Sequence, residues 1–238
     1  MSYNPNPTPT SYTEGRTLDL GLQSYMQSVY HTMTVGLAIT GLTAFFVSSV
    51  PSLFHLLFGT PLAWVVVFAP LAFLWFGFTP RSIMTMSSGK LMRTFFFFSV
   101  LMGLSMAVIF QLYTGASIAR VFFITAATFA ATSLYGYTTR RDLTGVGSFL
   151  FMGLVGIVIA SLVNIFMHSM MVQFVISVIG VVVFTGLTAA QTQSLKNVYA
   201  AGATEANAKM AVVGALNLYL NFINLFQILL SFMGDRRN

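Results

Sequence analysis

The chain has 238 residues, 56% of them hydrophobic and only 7% charged, with a mean hydropathy of +0.82. A soluble domain carries about 25% charge, so this composition cannot coat a water-exposed surface, and it is far too apolar for a disordered chain. Eleven Lys+Arg stand against five Asp+Glu, a net +6; the cations are sparse and lie between apolar runs, which points to orientation in a bilayer and away from nucleic acid.

Residues 1–16 read as a flexible tail, opening on the uncharged MSYNPNPTPTSYT. No apolar run begins before His31, so no cleavable signal peptide is expected. In 17–30, Leu18, Leu22, Tyr25, Met26 and Val29 fall at helical spacing. This is either a short helix on the membrane surface or the first turns of span one. Seven apolar segments of spanning length follow, at approximately 32–50, 61–79, 91–113, 118–138, 147–167, 170–190 and 212–233. WVVVFAPLAFLWF (64–76) and FVISVIGVVVF (174–184) do not alternate, so the spans are helices and not barrel strands. The expected fold is all-α: one membrane domain, 17–238, with seven transmembrane helices. His168-Ser169 is the only polar break between spans five and six, which forces a tight helical hairpin. The longest loop is expected at 191–211.

With the N-terminus cytoplasmic, eight cations fall inside (Arg16, Arg81, Lys90, Arg93, Arg140, Arg141, Lys196, Lys209) and three outside (Arg120, Arg236, Arg237). That asymmetry favours N-terminus in and C-terminus out. The basic tail GDRRN dissents; placing it inside would make the last segment re-entrant.

The chemistry is sparse. With no Cys there are no disulfides, thiolate zinc sites or Cys nucleophiles. His31, His55 and His168 are too scattered for a metal motif, and no cofactor is expected. Glu14, Asp19, Asp142, Glu205 and Asp235 all fall outside the apolar cores of the spans. A buried carboxylate relay or an aspartyl intramembrane protease therefore has no acids to use. H-E-x-x-H and G-x-S-x-G are absent, and Ser105, Ser133 and Ser161 have no base within reach by sequence logic. The chain is not expected to be an enzyme.

Span seven carries Asn217, Asn221, Asn224 and Gln227 at spacings of +4, +3 and +3. They share one helix face, which should not point at lipid. They serve either as interhelical hydrogen-bonding groups or as the lining of a polar pathway. Either way, this helix should be surrounded by others. Thr185, Thr188 and Thr192 line one side of span six, and Thr125, Thr128, Thr132 and Tyr135 one side of span four; both read as packing.

Three stretches carry a family resemblance: MGLSMAVIFQLYTGASIARVFFITAATFAATSLYGYTTRRDLTGVGSFLFMGLVGIVIASLVNIF (102–166), SVIGVVVFTGLTAAQTQSLK (177–196) and MAVVGALNLYLNFINLF (210–226). The sequence resembles the Bax inhibitor-1 (transmembrane Bax-inhibitor-motif) family, and its proteobacterial members most closely. The resemblance implies six helices, as two groups of three, around a central seventh. It also implies a place in a bacterial inner membrane. The family is associated with pH-sensitive calcium leak, and its eukaryotic members with suppression of cell death. One proteobacterial branch engages an ATP-dependent membrane protease through the cytoplasmic N-terminal tail.

In the family, the leak is tied to two aspartates, in helix six (TAYDTQ) and helix seven (LYLDFINLF). This chain reads TAAQTQ (188–193) and LYLNFINLF (218–226), so the positions are Gln191 and Asn221. Both carboxylates have become amides. Two adjacent carboxylates titrate strongly, because both cannot ionise freely; two amides do not titrate and satisfy each other at any pH. They also lack the anionic oxygens that attract Ca²⁺. The expectation is a calcium leak that is weak or insensitive to pH, or alternatively a regulator of the membrane protease. A basic residue after helix two can latch the helix-six acid in the family. Arg81, in TPRSIM (79–84), is the residue nearest that place. Asn221 lies about nine residues, roughly 14 Å, into span seven, while Gln191 is at the end of span six. For the two to meet, span six must run on toward 195 or span seven must sit deeper.

Overall fold

The computed structural model describes residues 9–200 and 202–237, with side chains in the first helix from Leu20 onward. Among the described residues, nine helices follow in order: α1 (Pro9–Ser49), α2 (Pro51–Phe58), α3 (Leu62–Gly77), α4 (Pro80–Thr85), α5 (Ser88–Leu112), α6 (Gly115–Thr138), α7 (Thr144–Met167), α8 (Met170–Val198) and α9 (Thr204–Met233). Residues 17–30 are the first turns of span one and not a separate surface helix. The helix reaches back to Pro9, into the segment read as tail; residues 1–8 lie outside the described residues.

Local chemistry sets the breaks. Pro51 and Pro80 sit at helix starts, where a missing N–H is no loss. Thr79, Ser87, Thr114 and Ser169 accept from the backbone N–H three residues on, as N-caps, each stabilising its helix by about 1 kcal/mol. The expected hairpin forms at His168-Ser169. His168 takes a left-handed turn (φ 51°), and the Asn164 Oδ1 accepts from the Ser169 N–H at 3.1 Å.

Among the described residues, six helices are each long and apolar enough to cross a membrane: α1 from Leu20, α5, α6, α7, α8 and α9. α2 and α3 meet at 80° across Gly59-Thr60-Pro61, so the count reaches seven only if this bent pair is one span. Residues 51–58, which fell between the expected spans, are therefore helical. The expected long loop also shrinks. α8 continues through the polar run QTQSLKNV to Val198, and α9 begins at Thr204. The hydropathy of those flanks ends, but their helix propensity does not.

The packing forms two groups. α1 and α3 pack on α5; α6 and α7 pack on α8; and α9 lies between, against α1, α5, α6 and α8. The two groups of three are thus present, but α9 packs along four of the long helices and not along all six. α3 and α7 stand outside, each behind one inner helix. α9 is nonetheless the most enclosed, with 67% of its apolar window buried against 11% for α7. Its Leu218, Tyr219, Phe222, Leu225, Phe226 and Leu230 form the middle of the core.

Both ends of α9 are tied to α5. At one end the Glu205 carboxylate accepts from the Ser88 N–H (2.8 Å) and the Ser88 hydroxyl (3.0 Å). At the other, the residues after α9 pair with the α5–α6 turn. Thr114 N–H donates to the Asp235 carbonyl (3.1 Å), Arg237 N–H to the Leu112 carbonyl (2.9 Å), and Arg120 pairs with Asp235 at 2.7 Å. α9 therefore runs the full depth of α5, and the last segment is not re-entrant. The GDRRN segment is held by the turn beside it.

Candidate functional site

α8 and α9 run antiparallel, and glycines set their separation. The Ile228 side chain occupies the place of a Gly180 side chain, and the Leu195 side chain that of Gly214. Phe174 and Phe232 meet at one end, with centroids 5.6 Å apart. In this register Gln191 and Asn221 come face to face: the Asn221 Nδ2–H donates to the Gln191 Oε1 at 3.0 Å. Asn221 is 4% exposed and Gln191 half-buried. The depth problem is resolved from both sides, since α8 runs past 195 and α9 starts eight residues earlier than its apolar run.

The other stripe amides behave differently. Asn217 and Gln227 are exposed and Asn224 is half-buried, so only Asn221 of the four is enclosed. The physical reason is the packing order. α5 and α8 share no packed face, which leaves one side of α9 open between them, and the stripe runs along that seam. Arg81 does not join the pair. Pro80 starts the separate short helix α4, and Arg81 is exposed in its first turn. α4 meets α9 instead through Lys209, whose Nζ–H donates to the Met84 carbonyl at 3.1 Å.

The threonine rows are mostly self-satisfied, as the packing reading expects. Thr125, Thr128, Thr132, Thr185 and Thr188 donate to the carbonyl four residues back. Thr192 is the exception. It closes a chain across three helices, Tyr30 Oη to Ser133 Oγ at 2.6 Å and Ser133 Oγ to Thr192 Oγ1 at 2.9 Å. A second bridge joins Tyr219 Oη to Thr40 Oγ1 at 2.6 Å, with the Ser99 carbonyl 2.9 Å from the same hydroxyl. Gln193, buried, holds the α6–α7 loop: its Oε1 accepts from the Leu143 N–H (2.8 Å) and its Nε2–H donates to the Arg141 carbonyl (2.7 Å). Sequence reasoning missed these bridges. Their partners are 50 to 179 residues apart, and lone hydroxyls carry no periodic signal.

No carboxylate replaces the missing pair among the described side chains. Asp142 stays exposed in the loop, its Oδ1 accepting from the Thr144 hydroxyl (2.6 Å) and N–H (2.9 Å). Those bonds hold its carboxyl below the usual range. Glu205 and Asp235 sit at opposite ends of α9. Glu14 and Asp19 lie outside the residues whose side chains are described. The Gln191–Asn221 pair thus offers amide groups alone, which can hydrogen-bond water but bring no charge to hold a hard cation.

An all-α polytopic membrane protein with a sandwiched last helix, carrying a polar pair against the helix before it, is the class this fold and site define. The sequence pattern of the family described as "Inhibitor of apoptosis-promoting Bax1" matches residues 22–238. An uncharacterised protein of Rickettsia prowazekii is 43% identical over 97% of this chain and 98% of its own length. One from Caulobacter vibrioides is 44% identical over 92% of each. The inner membrane protein YbhL of Escherichia coli K12 is 44% identical over 91% of this chain and 94% of its own. The chain belongs to the Bax inhibitor-1 family.

Proposed function

We propose that this chain is a Bax inhibitor-1 membrane protein whose ion path has lost its proton switch, so that any calcium leak is weak and does not respond to pH. The observation that carries this reading is the neutral 3.0 Å contact between Gln191 and Asn221. Carboxylates at that separation would share a proton at low pH and repel at high pH. The amide pair keeps one hydrogen bond throughout, and so stays in the arrangement of a protonated dyad. The chain is proposed to lie in an inner (cytoplasmic) membrane with its N-terminus cytoplasmic. Contacts support sorting the loop cations into two sets: Lys196 touches Tyr137 at the α6–α7 end, and Lys209 touches Met84 before α5. Arg120 and Arg237 gather at the opposite end with the C-terminal segment.

Calcium flux in liposomes, followed from mildly acidic to mildly alkaline pH, tests the reading. The native chain should give a low, flat response. Gln191→Asp combined with Asn221→Asp should give flux that rises with pH. In that variant a raised shared pKa stabilises the fold below the unfolded carboxylate range, and the gain is lost as pH rises through the folded value. Its melting midpoint should therefore fall as pH climbs while that of the native chain stays level. Flux through the native protein that climbs with pH would overturn the proposal.

The alternative role, regulation of a membrane-bound ATP-dependent protease, draws on the uncharged segment 1–13. Pulldowns with and without those residues separate it from the leak; an unchanged partner set would count against it.

A further inference from the structure

A second seam opens on the side of α9 opposite the amide stripe. α1 and α6 both pack on α9 but share no packed face with each other. The gap between them is a cavity of about 810 Å³, walled by Leu22, Met26 and Leu37 of α1 and Phe122 and Phe129 of α6, with Phe222 of α9 at its floor. From Tyr137, near the end of α6, back to Phe122 is fifteen residues, roughly 22 Å of helix, more than half of a ~30 Å hydrocarbon core. The cavity therefore starts near one membrane surface and passes the midplane. Its size suits a bound organic molecule. Two of its hydroxyls, on Tyr30 and Ser133, are already joined to each other and to Thr192. That leaves most of the wall apolar.

The surface end of the cavity is different. Tyr137, the last lining residue of α6, lies under a cation: Lys196 Nζ is 5.4 Å from its ring centroid and donates to its carbonyl at 3.2 Å. Lys196 also lines the adjoining polar pocket of about 500 Å³, together with Arg140, Arg141 and Asp142. Among the described side chains, three cations there face one carboxylate, and that carboxylate is occupied by Thr144. Lys196 keeps two further N–H donors. A basic pocket at the mouth of an apolar slot that opens into the bilayer complements one kind of molecule, an anionic group carrying a long hydrocarbon chain.

We infer that this seam is a binding site for an anionic phospholipid, its tail between α1 and α6 and its phosphate on Lys196, Arg140 and Arg141. A lipid seated there lies between the two three-helix groups, beside the Tyr30–Ser133 contact that bridges them. The inference does not depend on whether any ion is conducted.

The test is native mass spectrometry of the full chain released from nanodiscs of equimolar phosphatidylglycerol and phosphatidylethanolamine. The native chain should retain phosphatidylglycerol by about tenfold over phosphatidylethanolamine. The variant R140Q/R141Q/K196Q should lose the preference while still retaining lipid. Ala130→Phe, which fills the slot from α6, should lose retained lipid of both kinds. Helix content and melting midpoint report whether either variant is folded. Should one fail to fold, a titration of the native chain decides: phosphatidylglycerol should raise the melting midpoint, and glycerol phosphate, which has no tail, should not. Equal retention of the two lipids, no retained lipid, or an unchanged preference in R140Q/R141Q/K196Q would overturn the inference.

Discussion

α7 and α9 are both long enough to cross a membrane and opposite in character. α7 is the more apolar of the two, yet only 11% of its apolar window is buried; α9 carries four amides in its apolar stretch and is 67% buried. In water the ranking would be reversed. In a bilayer the solvent is itself apolar, so a Leu gains nothing from choosing a helix over lipid, and position is decided by close packing and by polar groups that need partners. The contrast shows in the glycines. Gly136 of α6 lies against the backbone of Ala189 in α8, the helix that holds Gln191, with no room for a Cβ. Gly156 of α7 has nothing within 4 Å of where its Cβ would be.

The largest expected effect follows from that difference. Gly136→Ala should destabilise by about 1–3 kcal/mol, because α6 and α8 must separate, and Gly136→Leu should prevent the native fold. Thermal melting in detergent or nanodiscs measures both. A Gly136→Leu protein with an unshifted midpoint would mean that the α6–α8 approach does not hold the second group together.

Next is the central pair. A double-mutant cycle with Gln191→Leu and Asn221→Leu should return a coupling of about 0.6 kcal/mol, and no more than roughly 1.7, the range for hydrogen bonds between membrane helices. It should be the same at acidic and neutral pH, since neither side chain titrates. A coupling that grows with acidity would mean that an ionising group shares the contact.

On the outer helix the sign changes. Gly156→Ala should stabilise by about 0.5–1 kcal/mol, because a mid-helix glycine loses more freedom on folding than alanine and nothing stands in the way here. A loss in the same assay would place α7 under packing constraints like those of α9.

Much of this arrangement was legible in the sequence, for specific reasons. The seven apolar runs map onto the six long helices and the bent pair, because lipid selects composition directly. The Gln191–Asn221 contact was legible because LYLNFINLF and TAAQTQ keep the family's positions while changing the side chains. Hydropathy lost sight of what does not depend on lipid. It ended α8 near 190, where Gln191-Thr192-Gln193 begin, although those residues continue a helix. It could not rank helices by depth, so the resemblance's picture of six helices around a seventh gave no sign that α3 and α7 stand behind the inner helices. The Tyr30–Ser133–Thr192 chain was invisible because each residue alone is an ordinary hydroxyl, and only the tertiary fold, which sets α1 and α6 on either side of the seam against α9, brings them together. Arg81 stays apart from the pair because Pro80 starts a new helix there, with Arg81 exposed in its first turn.

The smallest effect lies at the surface and sharpens the contrast with the silent interior. Asp142 accepts two bonds from Thr144 that its carboxylate strengthens, which lowers its pKa in the folded chain. A lowered carboxylate pKa contributes stability above the unfolded value, and that contribution is lost as pH falls through the folded value. Asp142→Asn should therefore lower the melting midpoint slightly at neutral pH, and the gap from the native chain should close on acidification. The side chain is exposed, so solvent screening keeps the effect small. The same comparison made with Asn221→Leu should show a gap that does not change with pH. If the Asp142 gap persisted in acid, its role would be steric and not that of a charged cap. If the Asn221 gap moved with pH, the centre of the bundle would hold a titrating group after all.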